Sequence, residues 1–98
     1  MTAAEITRTE NRLDELNGQL NEIAGQMRPI TDELGDIQQR INAAGPEIET
    51  GELLDLLRQQ EPLQREYQRL RAKHDALWDE STRLYNLLRE GIRLCEKL

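Results

Sequence analysis

Few side chains in this sequence are equipped for chemistry. His74 stands beside Asp75, Cys95 is the single cysteine, and 19 acids are spread along 98 residues. An imidazole next to a carboxylate could act as a general base or a pH switch. On a helix, however, consecutive residues point about 100° apart, so Asp75 is not placed to orient His74. No serine, cysteine or third acid falls at a spacing that would complete a relay. One histidine and one cysteine make a poor metal kit, and the paired Glu-x-x-His motif of helical metal sites is missing. Glycine-rich phosphate loops, Cys-x-x-Cys pairs and the nucleophile elbow are missing too. The expectation is a protein that is not an enzyme and that takes no cofactor.

The elements around these residues are easier to read. The chain is 37% hydrophobic and 33% charged with no phenylalanine, which limits it to one domain, 1–98, with a thin supply of bulky core residues. Its apolar residues never run unbroken for the roughly 18 positions of a membrane span, and Met1-Thr2-Ala3-Ala4-Glu5 lacks the basic start of a leader. A single cysteine cannot form an internal disulfide, so a cytoplasmic protein with no membrane partner is expected.

Hydrophobic spacing supplies the fold. Ile6, Leu13, Leu20, Met27, Leu34 and Ile41 recur every seven residues at heptad position a, with Leu16, Ile23, Ile30 and Ile37 at d and Thr9 as the one polar lapse. Thr2-Ala3-Ala4-Glu5 fits a capping box, and Ala43-Ala44-Gly45-Pro46 supplies a left-handed stop followed by a residue that cannot continue, which predicts a helix over 3–44. After a loop over 45–50, in which Thr50 could cap the next helix, a second seam runs over 51–98. Leu53, Gln60, Tyr67, His74, Ser81, Leu88 and Cys95 stand at a, and Leu56, Leu63, Leu70, Leu77, Leu84, Gly91 and Leu98 at d. His74, Gln60 and Ser81 read as polar seam residues that set register at some expense of stability. Cys95 reads as a small apolar filler.

Two seams of similar length joined by a short Gly-Pro loop predict an all-α, antiparallel two-helix coiled-coil hairpin. Folding about Gly45–Glu47 brings Pro29 and Pro62 to about the same level, so proline kinks are expected in both arms, with a break of the second helix at 60–62 as the alternative. The first half is acid-rich, eleven acids to four bases over residues 1–52, while residues 53–98 carry eight acids and nine bases. That contrast favours the antiparallel pairing.

Function is expected at the surface. In the C-terminal segment apolar residues spill from a and d into the flanking positions, with Trp78, Tyr85 and Ile92 at e and Leu87 and Leu94 at g. A stripe that wide should touch more than one helix. With Leu88 and Leu98 of the seam, these residues are the expected partner or dimer interface, either for a homodimer that closes into a four-helix bundle or for an unidentified protein anchored on Trp78 and Tyr85. Leu53, Leu54, Leu56 and Leu57 make a second apolar patch near the loop. The leading expectation is a protein-interaction module working as adaptor, assembly chaperone, tether or inhibitor. The rival is an RNA- or DNA-binding hairpin dimer whose phosphate contacts would be Arg58, Arg65, Arg69, Arg71 and Lys73. Glu61 and Glu66 interrupt that stretch, and the net charge of −6 weighs against it. A third reading lets the acidic first helix occupy the basic groove of a nucleic-acid-binding protein, as phage or plasmid inhibitors do.

Overall fold

The structure, a computed structural model, describes residues 2–96 and the side chains up to Leu94. Leu98, and the side chain of Cys95, lie outside the described residues. The chain forms a helical hairpin in which α1 (Ala3–Ala44) packs against α2 (Thr50–Glu96), with a short 3-10 turn, Gly45–Glu47, between them and no strand among the described residues.

Both helix ends follow local chemistry. The Thr2 hydroxyl oxygen accepts the Glu5 amide N–H at 3.2 Å, and the Ile6 N–H donates to the Thr2 carbonyl at 3.0 Å, so orphan donors of the first turn are satisfied. At the other end Gly45 adopts φ 66°, a left-handed conformation that costs a glycine little, and Pro46 follows inside the turn. The loop is tighter than its composition suggests. Residues 45–47 coil into the 3-10 turn, the Ile48 N–H donates back to the Gly45 carbonyl at 3.4 Å, and α2 starts at Thr50 itself. Thr50 is thus the first helical residue, and the Glu49 carbonyl accepts the Leu53 N–H at 3.0 Å.

Pro29 lies inside α1 and Pro62 inside α2, which runs through it as one helix. A proline removes one helical hydrogen bond at a cost of about 3 kcal/mol, a loss that seam burial on both sides of Pro62 offsets.

Packing divides the chain into two compact units, one of Met1–Ile23 with Lys73–Leu98 and one of Ala24–Ala72. In the first unit Leu16 is fully buried, with Leu20 and Ile23 also in the core, and α2 adds half-buried His74, Leu77, Ser81, Leu84 and Leu88. The polar lapse at Thr9 is satisfied within its own helix, where its hydroxyl donates to the Glu5 carbonyl at 2.8 Å. In the second unit Ile37, Leu56 and Leu70 are buried, and the other seam residues, Gln60 and Tyr67 included, are half-buried.

Candidate functional site

The residues with most apolar surface in water cluster on α2 in the first unit. Trp78 and Tyr85 are 58% and 57% exposed, and Leu87, Ile92 and Leu94 are exposed as well. Helical periodicity explains why they stay outside. Positions e and g flank the seam without entering it, and one facing helix covers only a and d. Leu88, at a, is half-buried in the seam and contributes one edge to the face. Tyr85, Leu88, Arg89 and Ile92 together line an open depression of about 160 Å³. Beside it Asn86, Arg89, Glu90 and Arg93 line a polar one of about 300 Å³.

Trp78 is held by its own helix. Its ring stacks on His74, one turn earlier, with centroids 6.3 Å apart and planes 8° from parallel. His74 Nδ1 comes within 3.6 Å of Asp75 Oδ1, nearer than the splay of adjacent helical residues suggests, but too long for a hydrogen bond. His74 thus serves as a half-buried seam residue and as the platform beneath the indole.

On the other flank of the same unit, Arg12 of α1 grips Glu80 of α2. Arg12 Nε donates to Glu80 Oε1 at 3.1 Å and Nη2 to Oε2 at 3.2 Å, a two-pronged fork, while Nη1 donates to Glu15 Oε2 at 3.1 Å. Donating hydrogen bonds to the Glu80 carboxylate first, and then to Glu15, raises the guanidinium pKa above its ordinary value. Both residues occupy g positions, and g faces g in an antiparallel pair, so the bridge sets the register of this unit. It puts Leu13 level with Leu77, Leu16 with His74 and Thr9 with Ser81. This pair was not singled out in the sequence, although folding the heptads about Gly45 brings the two g positions together.

The second unit shows less apolar surface. Leu54 and Leu57 are the exposed leucines of the patch near the turn, whereas Leu53 is half-buried and Leu56 belongs to the core. A groove of about 580 Å³ is lined by Glu33, Asp36, Ile37, Arg40, Gln59, Pro62 and Leu63, a mixed set with no convergent donor array.

On the helical wheel positions f, c and g adjoin one another while e lies elsewhere, so Arg71 alone stands apart from the other basic residues of α2. Arg58 and Arg65 share position f, Arg69 is at c and Arg71 at e, all in the second unit, whereas Lys73 is at g in the first. Arg65 is paired with Glu61, and Arg69 with Glu66 through two of its nitrogens. The carboxylate neighbours that interrupt the stretch in sequence thus hold two of its arginines in space. Hydrogen bonding from Arg69 lowers the Glu66 pKa.

Among the described residues no group of three or more His, Cys, Asp or Glu side chains could hold a metal ion, and no helix is long and apolar enough to cross a membrane. No family model, characterised protein or solved structure matches the chain.

Proposed function

We propose that this chain is a non-enzymatic protein-interaction module of the cytoplasm that self-associates and works by occupying a partner's surface, as an adaptor, assembly chaperone, tether or inhibitor. The observation that supports this most is the e stripe of α2, where Trp78, Tyr85 and Ile92 are exposed side by side, with Leu87 and Leu94 exposed at g on the opposite flank of the seam. Contiguous apolar surface on a small protein marks a contact site, and rigid aromatic anchors dominate the energy of such contacts. The stacking of His74 under Trp78 restricts the indole before any partner arrives, which lowers the ordering cost of binding.

Replacing Trp78 and Tyr85 together by alanine is the direct test. Proteins captured with the tagged wild-type chain should be lost with the double variant, while its helicity is unchanged. If the captured set and the sedimentation mass are both the same as wild type, the face is misassigned. Against the nucleic-acid reading, a labelled oligonucleotide should not bind at 50 mM salt; binding that falls steeply with salt would favour the arginines of α2 instead.

A further inference from the structure

We infer that the face carrying Trp78 is completed by a second copy of this chain, laid antiparallel along α2 so that Trp78 of each copy seats in the depression formed by Tyr85, Leu88 and Ile92 of the other. The inference deepens the docking function proposed above and rests on it.

Shape is the first support. Tyr85, Leu88, Arg89 and Ile92 stand at i, i+3, i+4 and i+7 and line the open depression of about 160 Å³. Four residues at that spacing form the hole that receives a knob from a facing helix. Trp78, on the same e stripe and 58% exposed, is the bulkiest knob available. A two-fold axis level with Arg83 and Leu84 puts each Trp78 opposite the other copy's hole. Both insertions then form together, as an isologous contact requires.

Charge decides the direction. Asp75 and Asp79 flank the knob, while Arg89 and Arg93 flank the hole. The antiparallel arrangement brings Asp79 level with Arg89 and Asp75 level with Arg93 of the second copy, and the same two pairings recur across the axis. A parallel arrangement would set acid against acid and base against base. Arg89 borders the hole, so its guanidinium meets the face of the inserted indole, a favoured cation–π geometry. A partner helix of uniform charge would meet either the Asp79 end or the Arg89 end of this stripe with like charge, whereas a second copy opposes them.

The test uses sedimentation equilibrium on the full chain. Wild type should be dimeric. Asp75→Arg with Asp79→Arg, or Arg89→Asp with Arg93→Asp, should each weaken self-association by about tenfold or more. An equimolar mixture of the two variants should restore the dimer, as should all four substitutions in one chain. That fourfold variant keeps the net charge, and circular dichroism of each variant checks that the helices persist. Spin labels on Lys73→Cys in a Cys95→Ser background report direction, since the two labels lie about 30 Å apart along the axis if antiparallel and about 10 Å apart if parallel. A monomeric wild type, a dimer indifferent to both charge reversals, or the short label distance would each overturn the inference. A monomer whose Trp78 and Tyr85 variants still lose captured proteins would overturn self-pairing alone and leave the docking function in place.

Discussion

The two packing units use the same seam and differ in what surrounds it. In the second unit the flanks are mostly polar, and ion pairs within α2, Glu61 with Arg65 and Glu66 with Arg69, occupy the outer surface. In the first unit the α2 seam includes His74 and Ser81, and the large apolar residues have moved outward to e and g. A helix that keeps tryptophan, tyrosine and isoleucine beside its seam gains little from them in an isolated hairpin. They become useful when something covers them. Positions that hold the hairpin together are thus distinct from the apolar positions left outside it.

The largest expected effect is in the seam. Leu16 is fully buried in the first unit and Leu70 nearly so in the second, and truncating either to alanine should cost about 3 kcal/mol in chemical denaturation. Equal losses would show both units to be supported by the same kind of core. Trp78→Ala with Tyr85→Ala should behave oppositely, leaving the unfolding of the separated chain nearly unchanged while lowering its sedimentation mass. The control, Leu54→Ala with Leu57→Ala in the second unit, should leave that mass alone.

Glycines give a finer contrast. Nothing lies within 4 Å of a methyl group built on Gly18 or Gly25, so alanine at either should stabilise its helix by about 1 kcal/mol in thermal or urea unfolding. A loss of association with Gly18→Ala would instead show that a partner's backbone packs there. Next comes the Arg12–Glu80 fork. Its two-pronged geometry between helices should give a larger double-mutant coupling, and one more resistant to salt, than the exposed Glu61–Arg65 pair within a single helix.

The smallest effect is a pH dependence of the second unit. Arg69 holds the Glu66 carboxyl below the ordinary glutamate pKa of 4.5, so the pair's contribution is complete above that value and fades as pH falls through the lowered one. Arg69→Gln should remove that slight acid sensitivity from the denaturation profile.

Much of this was legible in residue spacing. Every aliphatic residue placed at a or d from Ile6 to Leu88 is buried or half-buried, because a period of three and four leaves a helix only one stripe to hide. The stop at Gly45–Pro46 and the Thr2 cap were equally readable, since each follows from local backbone chemistry. The exposure of Trp78 and Tyr85 followed from the same periodicity. The Arg12–Glu80 fork was harder, because 68 residues separate its partners and only the register of the folded hairpin joins them. The stack of His74 on Trp78 sits at an ordinary i, i+4 spacing that marks no particular contact in the sequence, whereas Asp75 adjoins His74 in the chain and yet stays beyond hydrogen-bond distance. Heptad positions also sort the basic residues of α2: Arg58 and Arg65 at f adjoin Arg69 at c, and Arg71 at e stands apart.

All of this requires the segment around Arg8 to lie alongside the segment around Arg83 in one molecule. Spin labels at those two positions, in a Cys95→Ser background diluted with unlabelled chain, measure that directly. A hairpin predicts a distance of about 20 Å, the spacing of two packed helices plus the label arms. A distance on the order of 100 Å, the length of one uninterrupted helix between them, would contradict it.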